Sequence, residues 1–391
     1  MDDGGEVKTM SNWKVNLYRP RIGPAEADAV AAVLRSGWLS AGAVTRQFEE
    51  AFADAAGVDD AIAVSSGTAA LQLAVQALGI GPGDEVIMPS LSFVAGASMV
   101  ALSGAAPVFA EVNGADDLSM SATDVAARIT ERTRAIITMH YGGYASALPA
   151  LADLARRHGL ALIEDSAHAP ATMSEYGRLG TIGDVGCYSF FATKNLAVGE
   201  GGMVVARSPE LRDRIRRLRS HALTVDAQAR HRGSPSSYDV DGFGFNHRPN
   251  EVTSAIGLAQ LNALASGQRR RQEIVQDYRR GLADLAGIGI PYLTRDVEHS
   301  AHHLFPIILP TEAVRAEFQN RLAEAGIQSG IHYPPSHLFT AYQQRFGYRA
   351  GSLPVTEDVC SHQVSLPLYV DLSPVEVELV IAAVRQAWGA M

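Results

Sequence analysis

Short apolar segments alternate with helical segments between residues 61 and 220, and this alternation constrains the fold more than any other feature. Such alternation is typical of a mostly parallel sheet that helices cover on both faces. It predicts an α/β fold whose ligands bind at the carboxyl ends of the strands. The predicted strands cover residues 61–64, 85–88, 107–111, 134–139, 160–163, 186–191 and 203–206. The predicted helices cover residues 68–78, 93–102, 122–129, 148–157 and 209–220.

The chain of 391 residues is longer than one typical domain. We expect an N-terminal lead-in over residues 1–20, a large domain over 21–265 and a smaller C-terminal α+β domain over 266–391. A long helix over 250–285 would connect the two domains. The polar segment 222–247 is a predicted loop, and loops of this length in compact proteins are usually functional. Further predicted elements are a strand over 300–309 and helices over 44–56, 313–325 and 374–388.

Composition excludes several classes of protein. The net charge of −9 argues against a nucleic-acid surface, which usually needs a basic face. Two cysteines do not make a disulfide framework and fit a reducing cytoplasm. The acidic, polar N-terminus does not resemble a signal peptide. Two uncharged runs, 61–82 and 86–110, are interrupted by Gly, Ser and Pro, so we interpret them as buried strands and helices.

Lysine is unusually scarce in this chain. There are 30 arginines but only three lysines, at positions 8, 14 and 194, so Lys194 is the only one in the globular body. It lies between two predicted apolar strands. A desolvated lysine can become a neutral nucleophile, whereas arginine stays charged. Lys194 is therefore a candidate catalytic amine, although a lysine that merely reaches the surface is the alternative.

Polar or aromatic residues follow several of the predicted strands. Ser66, Gly67 and Thr68 open a helix, where backbone N–H groups favour a phosphate, although such turns also occur for geometry alone. Phe93 could stack on a planar ring or belong to the core. Asp165 ends an apolar strand, where a carboxylate needs a partner such as a ring N–H⁺ or a helix end to cap.

Together with Ser189 and Lys194, these residues describe a pyridoxal-phosphate site more specifically than any one of them does. Competing sites have weaker support. The first strand is not followed by a Gly-x-Gly-x-x-Gly turn, and no Walker loop is present. The pairs His302 with His303, and His332 with His337, lack a metal-ligand pattern, so no metal site is predicted.

At these residues the chain resembles the DegT/DnrJ/EryC1/StrS family of sugar aminotransferases, which are fold-type I enzymes dependent on pyridoxal 5′-phosphate (PLP). The two departures from the family pattern are Ala43, where proline is frequent, and the segment 247–249, where Tyr-Arg-Met or similar is frequent. The departure at 247–249 affects the expected shape of the loop there and not the expected chemistry. The matching stretches run in order over nearly the whole chain, at 36–40, 65–71, 83–90, 164–169, 188–196, 199–202, 244–251 and 331–335.

The resemblance implies a role for each candidate residue. Lys194 would be the Schiff-base lysine and the general acid and base, Asp165 would hold the protonated ring nitrogen, and His168 would lie near the ring's phenolic oxygen. Phe93 would stack on the ring. Family members are homodimers with shared active sites, so Asn246 would reach the phosphate in the neighbouring subunit. The phosphate would otherwise be held by Ser66, Gly67, Thr68 and Ser189. Candidate substrate contacts are Trp38, His332 and Tyr333.

The resemblance also implies a reaction, and the cysteine content places it in the cytoplasm. L-glutamate would convert the cofactor to its pyridoxamine form, and a nucleotide-linked keto sugar would then receive the amine. We expect a dTDP-4-keto-6-deoxyhexose aminated at C4, in deoxyamino-sugar biosynthesis for an antibiotic, another natural product or a surface glycan. The alternatives are a 3-keto sugar or an aminocyclitol precursor of the scyllo-inosose type, and a non-catalytic sugar-binding or regulatory protein. Lys194 argues against a dehydratase of the same family, which carries histidine there.

Overall fold

A computed structural model describes residues 13–224 and 239–391 of the chain. The first part of the predicted lead-in and the middle of the predicted loop 222–247 lie outside the described residues. Among the described helices, none combines the length and the apolar character needed to cross a membrane.

A seven-stranded sheet forms the centre of the larger part of the molecule. Its strands are β1 (Ile62–Val64), β2 (Glu85–Pro89), β3 (Ala106–Ala110), β4 (Thr133–Met139), β5 (Ala161–Asp165), β8 (Val185–Ser189) and β9 (Gly202–Ala206), and β6 (Met173–Ser174) and β7 (Gly177–Arg178) form a separate small ribbon. The helices of this part are α1 (Pro24–Ser36), α2 (Ala43–Ala56), α3 (Gly67–Ala77), α4 (Ala95–Leu102), α5 (Ala122–Arg128), α6 (Leu148–His158) and α7 (Pro209–Leu218).

The strand order is β1-β9-β8-β5-β4-β2-β3, and only β9 runs against its neighbours. The other pairs along the sheet, from β8 to β3, are parallel. The predicted α/β class with a mostly parallel sheet is therefore confirmed. As a result, β1, β2, β4, β5 and β8 all end at the same edge of the sheet, which brings the polar residues after them together.

The strands are short and almost entirely buried, which explains why they appear in the sequence as apolar runs. Separate apolar clusters fill the two faces. One contains Leu73, Val86 and Val100, and another contains Phe52, Phe190 and Met203. The helices therefore cover both faces of the sheet, as the alternation predicts.

The antiparallel pair β8–β9 is a hairpin whose loop carries Lys194. Ser189 pairs with Gly202 at the end of the ladder. Beyond this pair, the Phe190 N–H donates to the Gly201 carbonyl at 2.8 Å and the Val198 N–H donates to the Phe190 carbonyl at 2.9 Å. Both ends of the lysine loop are thus fixed to the centre of the sheet.

The C-terminal part contains a two-stranded antiparallel sheet surrounded by helices. Its core includes Tyr278, Phe305 and Phe318. The elements are α8 (Glu251–Leu282), β10 (Phe305–Ile308), α9 (Glu312–Glu324), α10 (Thr340–Phe346), α11 (Pro354–His362), β11 (Gln363–Leu366) and α12 (Pro374–Gly389). Single 3₁₀ turns lie at Tyr141–Gly143, Val297–His299 and Ser336–Leu338.

The predicted strand over 300–309 is wrong in its first half, because only Phe305–Ile308 pairs as a strand. Residues 300–304 instead run alongside the 3₁₀ turn at Tyr141–Gly143, where the N–H of His303 donates to the Gly142 carbonyl at 2.8 Å. The five residues are all buried, like those of the strand that follows, although they do not pair as a strand. The strand β11 and the helices α10 and α11 were not predicted.

The helix α8 connects the two apolar cores. Its first half contributes Leu264 to the core beside β9, and its second half contributes Ile274 and Tyr278 to the C-terminal core. Val15, within the predicted lead-in, is fully buried in the C-terminal core. The domain boundary at 265/266 stays a prediction.

Candidate active site

Lys194 lies in the β8–β9 loop with its side chain partly buried. Its backbone N–H donates to the Phe191 carbonyl at 2.8 Å, which closes a turn around it. Burial lowers the pKa of the amine from its usual value to about 8, and the negative charge of Asp165 opposes this shift. An amine with this pKa is partly neutral near pH 7, as a nucleophile or a base needs to be.

Asp165 is the last residue of β5 and is 5% exposed. Burial raises the pKa of its carboxyl group, while the N–H of Ala167 and the charges of Lys194 and His140 act in the opposite direction. Its Oδ1 accepts the Ala167 N–H at 3.1 Å. Asp165 therefore caps a turn rather than a helix. Among the described residues, its Oδ2 has no hydrogen-bond donor, so one oxygen remains available to a ligand.

The turn after β1 contacts the end of β8. Ser66 caps α3 by accepting the Ala69 N–H at 3.1 Å, and the Ala70 N–H bonds to the Ser66 carbonyl. The N–H groups of Gly67 and Thr68 precede this first helical bond. A Cβ atom on Gly67 would lie 2.7 Å from Cβ of Ser189, so only glycine fits there. The structure thus brings Ser66, Gly67, Thr68 and Ser189 together at a helix N-terminus.

His168 and Tyr333 form a hydrogen-bonded pair near Asp165 and Lys194. Nδ1 of His168 accepts the Gly142 N–H at 3.2 Å, so the ring proton lies on Nε2 and is donated to the Tyr333 hydroxyl at 3.0 Å. Burial, together with the charges of Lys194 and His332, lowers the pKa of His168 well below its usual value. The ring is therefore neutral and acts as a hydrogen-bond donor.

Phe93 is 54% exposed, so it is not a core aromatic residue. Its ring centroid lies 5.9 Å from that of Tyr333. Phe93 and Asp165 also line one small cavity, together with Met139 and Ser336. The predicted stacking aromatic and the predicted ring-binding carboxylate are therefore neighbours.

The predicted substrate contacts differ in their surroundings. His332 lies within electrostatic reach of Lys194. Burial, with a smaller contribution from the Lys194 charge, lowers the pKa of His332 to about 4, and its Nδ1 lies 2.9 Å from the Ser365 hydroxyl. Trp38 is 41% exposed on the turn after α1. A cavity of about 620 Å³ beside the lysine loop is lined by Lys194 and Arg271, but not by Trp38, His332 or Tyr333.

Asn246 is exposed and forms a β-bridge with Ser220. The next residue, His247, accepts the Ser65 N–H through its carbonyl at 2.9 Å. This contact places the segment close to the turn after β1. The role of Asn246 toward a neighbouring subunit stays a prediction.

Sequence reasoning did not identify Asn195, His303 or Gly142 as parts of the site. Asn195 Oδ1 lies 3.0 Å from His303 Nδ1, and Gly142 bonds to both His168 and His303. The position of Asn195 directly after the lysine was the only available signal. The contacts of His303 and Gly142 depend on how distant segments pack.

The residues at this edge of the sheet fit PLP. The turn at Gly67 is a cradle with no room for a Cβ atom, and Oδ2 of Asp165 is available for a ring N–H⁺. The raised pKa of Asp165 indicates a carboxylate that gains from a cationic partner. When bound, PLP would be held by the turn at its phosphate and by Asp165 at its ring nitrogen.

Comparisons with known proteins identify the family of this chain. Residues 20–385 match the sequence model of the DegT/DnrJ/EryC1/StrS aminotransferase family. The chain is 39% identical over 378 residues to the dTDP-4-dehydro-2,3,6-trideoxy-D-glucose 4-aminotransferase of Saccharopolyspora spinosa, covering 95% of this chain and 96% of that one.

Solved structures of aminotransferases show the same architecture. The aminotransferase TlmJ from Streptoalloteichus hindustanus superposes with a TM-score of 0.88 at 38% identity, covering 96% of this chain and 99% of TlmJ. The sugar aminotransferase Spr1654 from Streptococcus pneumoniae, solved in a PLP form, gives a TM-score of 0.89 at 28% identity, covering 96% of this chain and 99% of that one. The matched family, the shared fold and the lysine site lead to one conclusion: the chain belongs to the DegT/DnrJ/EryC1/StrS family and is a PLP-dependent sugar aminotransferase.

Proposed function

We propose that this enzyme transfers the amino group of L-glutamate to C4 of a dTDP-4-keto-6-deoxyhexose. The observation that carries the proposal is the pairing of a partly neutral Lys194 with the buried carboxylate of Asp165 at one sheet edge. The choice of C4 and of a dTDP sugar is supported by the Saccharopolyspora spinosa relative, which is a dTDP-4-dehydro-2,3,6-trideoxy-D-glucose 4-aminotransferase. The reaction would belong to deoxyamino-sugar biosynthesis for an antibiotic, another natural product or a surface glycan.

Lys194 is assigned the proton transfers. PLP, when bound, supplies an electron sink and carries the amino group between donor and acceptor. With a pKa of about 8, the amine can remove a proton from the donor carbon and return one to the acceptor carbon. Its fixed loop keeps this base at one place during both halves of the reaction.

Asp165 and His168 are assigned to the ring nitrogen and to the surroundings of the phenolic oxygen of the cofactor. Asp165 would hold the protonated ring nitrogen through Oδ2, and this charge pair would offset the cost of burying the carboxylate. His168, neutral and hydrogen-bonded to Tyr333, orients the tyrosine hydroxyl beside the ring. Phe93 covers one face of the ring.

The sugar pocket is assigned to His332, Tyr333 and Trp38. His332 is neutral at physiological pH because its pKa is about 4, so it offers a hydrogen bond rather than a charge to a sugar hydroxyl. Neutral donors and acceptors select hydroxyl stereochemistry effectively, since an unpaired buried polar group is costly.

We further propose a cytoplasmic homodimer with shared active sites. The two cysteines are buried and free, which supports a reducing compartment. Phe243 is 99% exposed and lies three residues before Asn246, so the surface around Asn246 is more apolar than solvent contact favours. A neighbouring subunit that covers Phe243 would bring Asn246 to that subunit's phosphate cradle.

The proposal is tested by supplying the purified, cofactor-loaded enzyme with L-glutamate and a panel of keto sugars. The panel contains dTDP- and UDP-linked 4-keto and 3-keto sugars and scyllo-inosose. We expect 2-oxoglutarate formation with the dTDP-4-keto-6-deoxy sugar, a C4 amine by product NMR, and none with Lys194→Ala.

Other outcomes separate the alternatives. Turnover confined to a 3-keto sugar or to scyllo-inosose would replace the C4 assignment while retaining the roles of Lys194 and Asp165. Ligand binding without any turnover, equal in the wild type and in Lys194→Ala, would identify a non-catalytic sugar-binding protein. Turnover with L-glutamine but not with L-glutamate would overturn the assignment of L-glutamate as the amino donor.

A further inference from the structure

The residue after the lysine is held by three hydrogen bonds. Nδ2 of Asn195 donates to the Ala301 carbonyl at 2.7 Å and to Gln268 Oε1 at 3.1 Å. Because these partners accept, the remaining amide oxygen of Asn195 faces His303 as an acceptor, at 3.0 Å from Nδ1. His303 must therefore carry its proton on Nδ1. This assignment leaves Nε2 without a proton when the ring is neutral.

His303 is 7% exposed and packs against His168, with the ring centroids 4.2 Å apart. The backbone of Gly142 contacts both residues. Its N–H donates to Nδ1 of the His168 ring, and its carbonyl accepts the backbone N–H of His303 at 2.8 Å. The two histidines thus have opposite tautomers, with the proton on Nε2 in His168 and on Nδ1 in His303.

A continuous chain of contacts therefore runs from the lysine loop to the residues assigned to the cofactor ring. It passes from Asn195 to His303, then through Gly142 to His168 and Tyr333. Asn195 belongs to the β8–β9 loop, whereas His303 belongs to the segment that precedes β10 in the C-terminal part. The bond between them is a direct link between the lysine loop and the other half of the molecule.

We propose that His303 is a positioning residue for Lys194, and that it acts through the hydrogen bond between His303 Nδ1 and Asn195 Oδ1. This inference rests on the proposed function of Lys194 as the catalytic base. The bond holds the lysine loop against the C-terminal part, which keeps the amine shielded from water and directed at the cofactor. Misplacing a reacting group by about 1 Å can lower a rate about a hundredfold.

The electrostatic surroundings favour a neutral His303. Burial lowers its pKa well below the usual value, and the positive charges of Lys194 and Arg271 lower it further. The charged group that acts on the lysine amine is Asp165, whose negative charge raises the pKa of Lys194. Replacing a neutral His303 therefore adds no charge near the amine. If replacing His303 changes the pKa of Lys194, the cause would be that the β8–β9 loop loosens and water reaches the amine.

The test is a double-mutant cycle on the apo enzyme in a Lys8→Arg, Lys14→Arg background, where Lys194 is the only lysine. Its acylation rate is measured against pH for His303→Leu, Asn195→Ala and the double variant. We expect each single variant to move the midpoint above about 8, because hydration favours the charged amine. We expect the double variant to match Asn195→Ala, because loss of the Asn195 side chain already removes the bond to His303.

Two further variants separate positioning from general damage. His303→Asn retains a donor at the Nδ1 position and should restore the wild-type midpoint. His302→Leu is the packing control, because the neighbouring His302 ring bonds to the Val297 carbonyl and approaches the Tyr144 hydroxyl instead. It should lower the unfolding temperature and leave the lysine midpoint unchanged.

In the loaded enzyme, His303→Leu should lower kcat by about tenfold to a hundredfold with KM nearly unchanged. Additive effects in the cycle, or a wild-type midpoint in His303→Leu, would overturn the proposal. The acylation midpoint needs neither cofactor nor sugar. Failure of the proposed function would therefore appear as absent sugar turnover in the wild type, while the cycle would still report on the Asn195–His303 bond.

Discussion

At Lys194, two opposing effects set the protonation state of one amine. Burial lowers its pKa to about 8, and the carboxylate of Asp165 prevents a larger decrease. A one-unit change in pKa corresponds to about 1.4 kcal/mol of differential interaction between the two protonation states. The charge of the Asp165 carboxylate therefore strongly affects the fraction of Lys194 that is neutral near pH 7.

Asp165→Asn should lower the pKa of Lys194 below about 8, because it removes the negative charge that favours the protonated amine. In the Lys8→Arg, Lys14→Arg background, the midpoint of the acylation profile of the apo enzyme should move to lower pH. Asp153→Asn, on the outer surface of α6, serves as the matched control and should not move it. An upward shift would contradict the assigned role of the Asp165 charge.

A single site residue could be predicted from the sequence where its residue type is unusual for the surrounding sequence. Lys194 was identifiable because arginine replaces lysine nearly everywhere else, and Asp165 because a carboxylate ends an apolar strand. His303 was not identifiable in this way. Its neighbour His302 has the same residue type and similar burial but points to Tyr144 and Val297, and only tertiary packing distinguishes the two rings.

At the scale of elements, the turn from β1 into α3 depends on the absence of a side chain at Gly67. A Cβ atom there would lie 2.7 Å from Cβ of Ser189 and 3.2 Å from its Oγ. This close approach would allow the helix N-terminus and Ser189 to hold one phosphate between them, as proposed.

Gly67→Ala should weaken PLP binding by about tenfold or more, equivalent to about 1.4 kcal/mol, because Ser189 or α3 must shift. The measurement is a titration of the apo enzyme with PLP, followed by visible absorbance. Gly81→Ala lies in the turn that follows α3 and meets nothing closer than 3.8 Å, so its affinity should equal that of the wild type. Equal weakening in both variants would refute the contact with Ser189 as the cause.

The start of α8 stabilises the start of α2 through one carboxylate. Glu251 is 3% exposed, and its oxygens accept the N–H groups of Gly42, Val44 and Thr45 at 2.8–2.9 Å, as well as the Thr45 hydroxyl. Glycine cannot cap α2 with its own side chain, so Glu251 performs this function from a distant part of the chain.

Glu251→Gln should lower the free energy of unfolding by about 1–3 kcal/mol, because an amide offers one acceptor oxygen where the carboxylate offers two. Chemical denaturation of the apo enzyme measures this loss. Glu50→Gln, exposed on α2, is the control and should change stability by less than about 0.5 kcal/mol. Equal stability of Glu251→Gln and the wild type would show that the distant cap contributes little.

Elements of the sheet were more predictable than those of the C-terminal part. Strands buried on both faces appear as uniform apolar runs, so their positions were clear to within a few residues. The segment 300–304 is equally buried, but it lies against Gly142 and His168 instead of pairing as a strand. Backbone pairing of β10 with β11 joins residues nearly sixty positions apart, which local pattern does not reveal.

For the whole molecule, the central question is how two chains would share their sites. Asn246 and the exposed Phe243 lie on one segment, and His247 connects this segment to the turn after β1. A two-fold axis near this segment would place each Asn246 by the neighbouring cradle. The sequence alone could suggest this arrangement only through family resemblance, since subunit geometry has no local pattern.

Hybrid dimers test the sharing directly. Lys194→Ala and Asn246→Ala should each be nearly inactive. Mixed after joint refolding, they should recover about a quarter of wild-type activity, because half of the dimers contain one site with both residues intact. Turnover of the proposed sugar measures the recovery. A mixture with no recovery would show that Asn246 serves its own subunit, and mixing two Lys194→Ala preparations is the control.

The one strand that runs against the sheet has a further consequence. Because β9 returns immediately beside β8, the lysine loop is anchored at both ends within thirteen positions, between Ser189 and Gly202. In the proposed reaction, the lysine amine would have to be released from the cofactor and return to it in every turnover. Because the loop is short and fixed at both ends, only the side chain would need to move. The effective concentration of the amine at the cofactor would then stay high without a domain movement. Lengthening this loop by a few glycines should therefore slow the return of the lysine rather than its departure.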